Sequence, residues 1–396
     1  NTLRADVQSE GGRITAFAVN QTAHPDYPTI RPHRMAIGFY NLVGDALVRT
    51  HRLELDVEGA RTEVAELVGL ERPALILLND DDLTYAKVRL DEESWKFALA
   101  NLDKLTDPLA RAQVWGSAWD ATRDGEASAS DFISLVLGNV ENEDQGTMLI
   151  TLLRQLVTTA KIYTRADSRD QHWAHIAKTL LDLAGKAKPG SDNQLLFVRF
   201  ATYFAKDSQS ADVLQAIFDG SKVLNGLALD QDMRWDLING LVMSGRLGVE
   251  AIEAEAAKDN TANGAKQAIM ARTSIPTASG KKAGWDLVLN DPDLSNTDIN
   301  FGCQGLVRAH DVSLLEPMVD WYFEAAMNVW NTRTFKIAEY ILRGAFPFYL
   351  ANEALANRTR AFAHSAEVAA KPALQRIMLE NLDSVDRALK AQKADH

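Results

Sequence analysis

The side chains that could carry out chemistry are few and widely separated. Zinc hydrolysis needs clustered ligands, commonly from H-E-x-x-H on one helix, and this motif is absent. The nearest arrangement is His172-Trp173-Ala174-His175, whose i, i+3 spacing could place two imidazoles over one metal, with Asp167 and Asp170 nearby. No glutamate follows, and Ile176 and Leu180 indicate a packing face beside His175. We therefore favour an ordinary amphipathic helix over a metal site here.

Other reactive motifs are incomplete as well. No G-x-S-x-G motif occurs, and Cys303 has only His310 as a reactive neighbour in sequence, so a structural role is favoured for the thiol. The stretch Ser279–Lys282 is similar to the end of a phosphate-binding loop, but Ile275 stands where the first glycine belongs. The acidic triplet Asp80–Asp82 lacks the spacing and the closing glutamate of an EF-hand, and it indicates a turn. The sequence therefore predicts no catalytic residue and no metal ligand.

Five polar side chains remain as candidates for contact with a substrate. They lie in the helical part of the chain, where they could line a concave surface: Arg234, Gln304, Arg308, Arg333 and Lys336. Residues of these types are more often solvated or paired within the fold. No sequence motif assigns a role to any of them.

Composition indicates a soluble, globular protein of more than one domain. The 396 residues are 46% hydrophobic and 24% charged, which is typical of a globular chain too long for one core. The net charge of −12 argues against nucleic acid or an anionic membrane as a partner. A single cysteine, no apolar stretch of ~18 residues and no signal peptide predict a cytoplasmic location. The absence of an initiator methionine before Asn1 indicates a processed chain or a piece of a longer one.

The first 91 residues have the pattern of an antiparallel β-sandwich. Apolar residues alternate over Arg13–Val19, Arg34–Leu42 and Val48–Glu58, and Val64–Val68 predicts a further short strand. Glycine and proline turn signals separate these runs, so about seven short strands are expected. Because no Cys…Trp…Cys framework is present, the likeness to immunoglobulin domains is one of architecture only. We predict that residues 1–91 form this domain.

The segment Ala74–Asp91 marks the change from strands to helices. Leu75–Leu78 is a short apolar run, Asp80–Asp82 indicates a turn, and Tyr85–Leu90 alternates again. The simplest interpretation is a β-hairpin that closes the sandwich domain.

From Glu92 onward, helical periodicity continues to the end of the chain. Glycine and proline breakers separate the periodic stretches, and Asp107 before Pro108 is typical of an N-cap followed by a first helical turn. Short connections favour antiparallel neighbours. We predict that residues 92–396 form a large all-α domain of stacked antiparallel helix pairs, a superhelical bowl of HEAT or armadillo type. No repeat is strict enough to assign a repeat family.

Several stretches carry a family resemblance across essentially the whole chain. The most specific is the junction Leu77–Asp91, L-L-N-D-D-D-L-T-Y-A-K-V-R-L-D. Similar stretches in the helical part are Ala112–Asp124, Asp230–Trp235, Ala283–Asn290, Leu314–Phe323 and Trp330–Arg333. Together they resemble the C-terminal half of bacterial zinc aminopeptidases of the aminopeptidase N type, particularly the actinobacterial enzymes. The opening Asn1-Thr2-Leu3 is similar to the N-T-L that ends the catalytic module of that family.

The resemblance implies a non-catalytic fragment of a cytosolic metallopeptidase that releases N-terminal residues from peptides. The family's preceding module carries H-E-x-x-H and G-x-M-E-N, and neither motif occurs here. The resemblance therefore implies no cofactor in this chain, zinc in the full-length enzyme, and the missing N-terminal catalytic module as partner. The helical bowl would cover the active site and gate the access of peptides. The alternative is an independent helical-repeat scaffold for protein interactions, since no catalytic constellation is present.

Overall fold

Strands occupy the first part of the chain and helices the rest, in a computed structural model that describes residues 1–396. The seven strands are β1 Thr2–Glu10, β2 Arg13–Thr22, β3 His33–Val43, β4 Ala46–Val57, β5 Arg61–Glu63, β6 Leu75–Asp80 and β7 Lys87–Arg89. They form a four-stranded sheet in the order β5-β2-β1-β7 and a three-stranded sheet in the order β4-β3-β6. All pairs are antiparallel except β1 with β7.

The two sheets share one apolar core. Leu3 and Phe17 enter it from the four-stranded sheet, and Met35, Ile37 and Ile76 enter it from the other. The alternation of apolar and polar residues sends alternate side chains into this core, because successive residues of a strand point to opposite faces. The predicted sandwich is therefore confirmed.

The segment Ala74–Asp91, where the strand pattern changes to a helical one, does not form the predicted hairpin. Strand β6 pairs with β3, whereas β7 pairs in parallel with β1, so the chain crosses from one sheet to the other between them. A hairpin would require β6 and β7 to pair with each other. The hydroxyl of Ser94, in the first helix, also accepts a hydrogen bond from the Ile76 amide of β6 at 2.9 Å.

The prediction of a strand at Val64–Val68 is also wrong, since Ala65–Leu67 forms a 3-10 turn after β5.

A strained turn makes this crossing. Asn79, Asp81 and Asp82 all have positive φ, at 57°, 67° and 53°, and left-handed backbone costs about 1–2 kcal/mol per non-glycine residue. The Asn79 side chain accepts a hydrogen bond from the Thr84 amide at 3.0 Å and donates to the Thr84 carbonyl at 2.8 Å. Arg49 forms an ion pair with Asp81 at 2.7 Å and another with the buried Asp80 at 2.8 Å. These bonds offset the strain and fix the turn, as the sequence interpretation of the acidic triplet predicted.

The remainder of the chain is helical. The helices are α1 Glu92–Asn101, α2 Pro108–Arg123, α3 Ala129–Asn139, α4 Gly146–Thr158, α5 Arg169–Lys186, α6 Asp192–Ala201, α7 Ser208–Phe218, α8 Gln231–Met243, α9 Val249–Ala256, α10 Ala262–Thr273, α11 Ala278–Asn290, α12 Asn296–Leu306, α13 Glu316–Thr332, α14 Phe335–Gly344, α15 Glu353–Ala363, α16 Ala366–Ala369 and α17 Pro372–Ala394. Asp107 caps α2 as predicted, accepting from the amides of Leu109 and Ala110 at 2.9 and 3.3 Å. None of the helices combines the length and the apolar composition that a bilayer crossing requires.

The chain divides into two compact units. The first comprises Asn1–Leu156 together with Ala394–His396, and the second comprises Val157–Lys393. In the first unit, Asp395 accepts hydrogen bonds from the Ser130 amide at 2.8 Å and from the hydroxyls of Ser128 and Ser130 at 2.9 and 2.8 Å. Asp395 thus supplies the N-terminal cap of α3, which has no cap from its own Ser128 side chain.

Helix α12 has a weak helical signal in the sequence, and its packing explains why it forms. It contains Gly302 and Gly305, which weaken a helix signal by sequence alone. A Cβ at Gly305 would lie inside contact distance of the Met270 carbonyl and the Thr273 hydroxyl, both on α10. The glycines therefore permit the close approach of α10 and α12, and tertiary packing outweighs intrinsic propensity.

Candidate functional site

The structure gives four of the five predicted contact residues separate surroundings. Arg234 donates to both carboxylate oxygens of Glu255 at 2.8 Å each, and holds the pKa of that carboxyl at about 2. The others differ from it and from one another: Arg333 donates to the Leu289 carbonyl, Lys336 pairs with Glu339 at 2.9 Å, and Gln304 is exposed. Their role as substrate contacts stays a prediction.

The fifth, Arg308, lies in a group with Lys161, Tyr203 and His310, which the sequence did not connect with one another. Its guanidinium lies 4.8 Å from the centre of the Tyr203 ring, and Nη2 donates to the Tyr203 hydroxyl at 3.0 Å. Both side chains are half-buried. Arg308 follows α12 and Tyr203 follows α6, so the fold brings together two segments that are 105 residues apart.

At the centre of this cluster is the buried ammonium group of Lys161. The residue lies in a π-helical turn, Thr159–Tyr163, that continues α4 and is wholly buried. A π-turn contains one more residue than an α-turn, and such turns occur frequently at functional sites. The Lys161 Nζ atom makes no hydrogen bond, although the side chain is only 2% exposed. A buried amine without a partner is costly to the fold, so this position calls for a functional explanation.

Three aromatic rings surround the Lys161 amine. The Nζ atom lies 5.3 Å from the ring centre of Tyr349, 5.6 Å from that of Trp173 and 5.7 Å from that of Tyr203. Ring faces attract a cation at these distances. Burial, aided by the positive charge of Arg308, nevertheless lowers the pKa of Lys161 to about 7. The three rings therefore surround a lysine whose positive charge has no hydrogen-bond acceptor.

His310 adds a second polar group without a partner. The centre of its ring lies 5.9 Å from that of Trp173, the residue is only 6% exposed, and neither ring nitrogen has a hydrogen-bond partner of good geometry, although the nearby Tyr203 backbone partly offsets the fall in its pKa. Burial, aided by the charge of Lys161, lowers the pKa of His310 to about 3, so the imidazole is neutral at physiological pH. A neutral imidazole retains one N–H donor and one acceptor, and it can therefore donate to a ligand beside Lys161.

A further lysine supports the cluster from α11. Lys281 is buried and donates to the carbonyls of Thr273, Gly305 and Arg308 at 3.1, 3.2 and 2.6 Å. These hydrogen bonds link the C-terminal ends of α10 and α12 to Arg308. Lys281 has carbonyl partners that Lys161 lacks, so its role in holding the backbone is evident from the contacts.

The chemistry that this arrangement supports is the binding of an anion. Lys161 and Arg308 bring positive charge to one place in a chain whose net charge is −12, and Lys206, 5.8 Å from the centre of the Trp173 ring, is paired with Asp170 at 2.7 Å. Hydrogen bonds between ionised donors and a carboxylate are about twice as strong as neutral ones, and a guanidinium can grip a carboxylate with two parallel bonds. We refer to Lys161, Tyr203, Arg308 and His310 as the cationic cluster.

The residues present do not fit a zinc ion. No group of three or more His, Cys, Asp or Glu side chains is placed to hold a metal. His175 is exposed, whereas Ile176 and Leu180 are buried with Trp173 on the packing face of that helix. Burial raises the pKa of Cys303 to about 12, which agrees with the structural role predicted for this thiol.

Comparison with known proteins gives the relationship of the chain. Residues 75–387 match the family described as ERAP1-like C-terminal domain. Over 403 aligned residues the chain is 38% identical to aminopeptidase N of Streptomyces lividans, with 100% of this chain and 47% of the relative covered. The chain thus spans about half the length of that curated relative and corresponds to its C-terminal part, which confirms the resemblance seen in the sequence. The chain belongs to the ERAP1-like C-terminal domain family.

Proposed function

We propose that this chain is the non-catalytic C-terminal part of a cytoplasmic zinc aminopeptidase, which removes N-terminal residues from peptides. The zinc and the reacting groups belong to an N-terminal module, and the helical residues 92–396 cover that active site and gate the access of peptides. Support comes from the match to aminopeptidase N through both the strand and the helical parts. The same match disfavours an independent helical-repeat scaffold.

The cationic cluster gives this gating role a specific contact. A peptide with its amino terminus at the zinc has a carboxylate at its other end. The single observation that supports the carboxylate as ligand is the buried Lys161 amine, which has no hydrogen-bond partner and lies beside Arg308 and His310. A carboxylate would supply the missing acceptor and would favour the ammonium form of the lysine.

The test compares peptides that differ only in the charge of the carboxyl end. In the whole enzyme, Arg308→Met is expected to raise KM about tenfold or more for peptides with a free carboxylate. KM for the amidated peptides and for aminoacyl-anilides should not change, because neither offers an anion to the cluster. Arg272→Met is the matched control, since Arg272 pairs with Glu253 at 2.7 Å on a different helix pair.

Two outcomes would contradict the proposal. An equal rise in KM for free and amidated peptides would show that Arg308 acts on the fold or on gating without sensing charge. An equal effect of Arg272→Met would show that any lost arginine weakens binding. Zinc content of each variant serves to exclude damage to the N-terminal module.

A further inference from the structure

Three exposed apolar side chains belong to two loops near the first residue of the chain. Tyr85 is fully exposed, Leu83 is 46% exposed and Tyr27 is 78% exposed. We refer to these three residues as the N-terminal patch. Large side chains of this kind are enriched at interfaces, where rigid aromatic groups contribute most of the binding energy.

The patch comes from two loops that contact Asn1. In the loop between β2 and β3, the Thr29 carbonyl accepts from the Asn1 side chain at 2.8 Å, and the Arg31 amide donates to the same side chain at 3.2 Å. Where the loop between β6 and β7 ends, the amide of Lys87, the first residue of β7, donates to the Asn1 carbonyl at 2.9 Å. Polypeptide that precedes Asn1 therefore leaves from between the two loops.

The loop that carries Tyr85 is held in place before any partner arrives. His33 forms a hydrogen bond with the Thr84 hydroxyl at 2.8 Å, and the Asn79 side chain brackets Thr84 on both its amide and its carbonyl. Arg52 adds an ion pair to Asp81 at 2.7 Å. A fixed loop loses little conformational entropy on association, which is the advantage of a preorganised contact.

We propose that the N-terminal patch is the docking surface for the module that precedes Asn1 in the whole protein. The Streptomyces relative has more than half of its length outside the matched region, and this chain corresponds to its C-terminal part. A module joined at Asn1 starts beside Tyr27, Leu83 and Tyr85, so tethering places it at high effective concentration over them. The inference rests on the proposed function only for the existence of that module.

Footprinting of tyrosine side chains tests this docking without any need for turnover. Tyr85 in this chain should be modified at the rate of the same tyrosine in a short peptide. In the whole protein the rate should fall about tenfold or more, because a buried hot-spot residue is sealed from water. Equal rates in the two proteins would overturn the proposal. Protection that appears in this chain alone, as its concentration rises, would assign the patch to self-association and would overturn it equally.

A pair of variants separates docking from effects on the fold. Tyr85→Ala should leave the unfolding of this chain unchanged, because the side chain is fully exposed, but should speed proteolysis ahead of Asn1 in the whole protein about tenfold. Val43→Ala is the control, since Val43 is 61% exposed at the opposite end of β3. Equal cleavage rates for the two variants would refute the docking. A protected Tyr85 in a whole protein that does not hydrolyse peptides would refute the proposed function and leave the docking intact.

Discussion

Two buried lysines with similar pKa values are predicted to affect stability to different extents. Burial lowers the pKa of both Lys161 and Lys281 to about 7. Lys281 donates to three carbonyls, whereas Lys161 donates to none. Replacing Lys161 with Met should therefore stabilise the protein, and replacing Lys281 with Met should stabilise it less or not at all.

The magnitude for Lys161 follows from the displacement of its pKa. A fall from 10.5 to about 7 corresponds to about 5 kcal/mol, at about 1.4 kcal/mol per pKa unit. The unfolded chain binds the extra proton between pH 7 and 10.5, so the cost is complete below pH 7 and declines as the pH rises through that window. We expect Lys161→Met to raise the free energy of unfolding by about 3–5 kcal/mol at pH 6 and by about 1 kcal/mol above pH 10.5.

For Lys281 the balance is different because the carbonyls favour its charged form. Lys281→Met leaves the Thr273 and Arg308 carbonyls without a side-chain donor, whereas the Gly305 carbonyl keeps the Arg308 amide at 3.0 Å. An unsatisfied buried group costs about 1–3 kcal/mol, so two of them offset about 2–6 kcal/mol of the gain from removing the buried charge, and Lys281→Met should be less stable than Lys161→Met by about that amount. Urea unfolding of both variants at pH 6, 8 and 10 measures the two differences.

The result that would refute this reasoning is a change in the free energy of unfolding that is the same in Lys161→Met as in Lys281→Met. It would mean that the Lys161 amine already has a compensating partner, such as bound water, and the case for an anion would fail. A gain in stability that does not decline between pH 7 and 10.5 would also contradict it, because the cost would then not be one of charge.

Three further outcomes can be checked independently. Gly305→Ala should lower the free energy of unfolding by about 2–4 kcal/mol through a clash with the Met270 carbonyl, whereas Gly116→Ala, a helical site with open space around it, should raise it by about 0.5–1 kcal/mol; equal effects in denaturant titrations would contradict the packing argument. Glu255→Gln should remove about 3 kcal/mol of stability above pH 4.5, and little below pH 2, because the pKa of this buried carboxylate is lowered to about 2 by Arg234; acid unfolding curves that coincide would refute the pairing. The chain by itself should show no turnover of aminoacyl-coumarins and no stoichiometric zinc by elemental analysis, and chelator-sensitive turnover would overturn the assignment of catalysis to another module.

The sequence predicted the regular elements well and their pairing less well. Alternation over Val48–Glu58 reports which residues face the core, and β4 indeed spans Ala46–Val57. The partner of a strand is not encoded in its own periodicity. The hairpin over Ala74–Asp91 therefore failed, because its two strands complete sheets begun by β3 and β1.

The candidate site was beyond sequence reasoning for a related reason. Only Arg308 was singled out, since Lys161, Tyr203 and His310 come from segments that meet through tertiary packing. Lys161 also lies outside the three- and four-residue spacing of the buried leucines of α4, which begins at Leu149. The π-turn adds a residue and rotates the buried face by about 100°, which turns a position expected in solvent towards the interior.

The cap that Asp395 provides for α3 has a consequence for the order in which the protein can fold during its synthesis. The carboxylate is translated 265 residues after Ser130, whose amide it accepts from. On the ribosome, the start of α3 must therefore wait, uncapped, until the whole of Val157–Lys393 has been made. Of these two units, the one that emerges first is thus completed only after the other has been made, and nascent chains that stop short of Asp395 carry a frayed α3 within reach of proteases and chaperones.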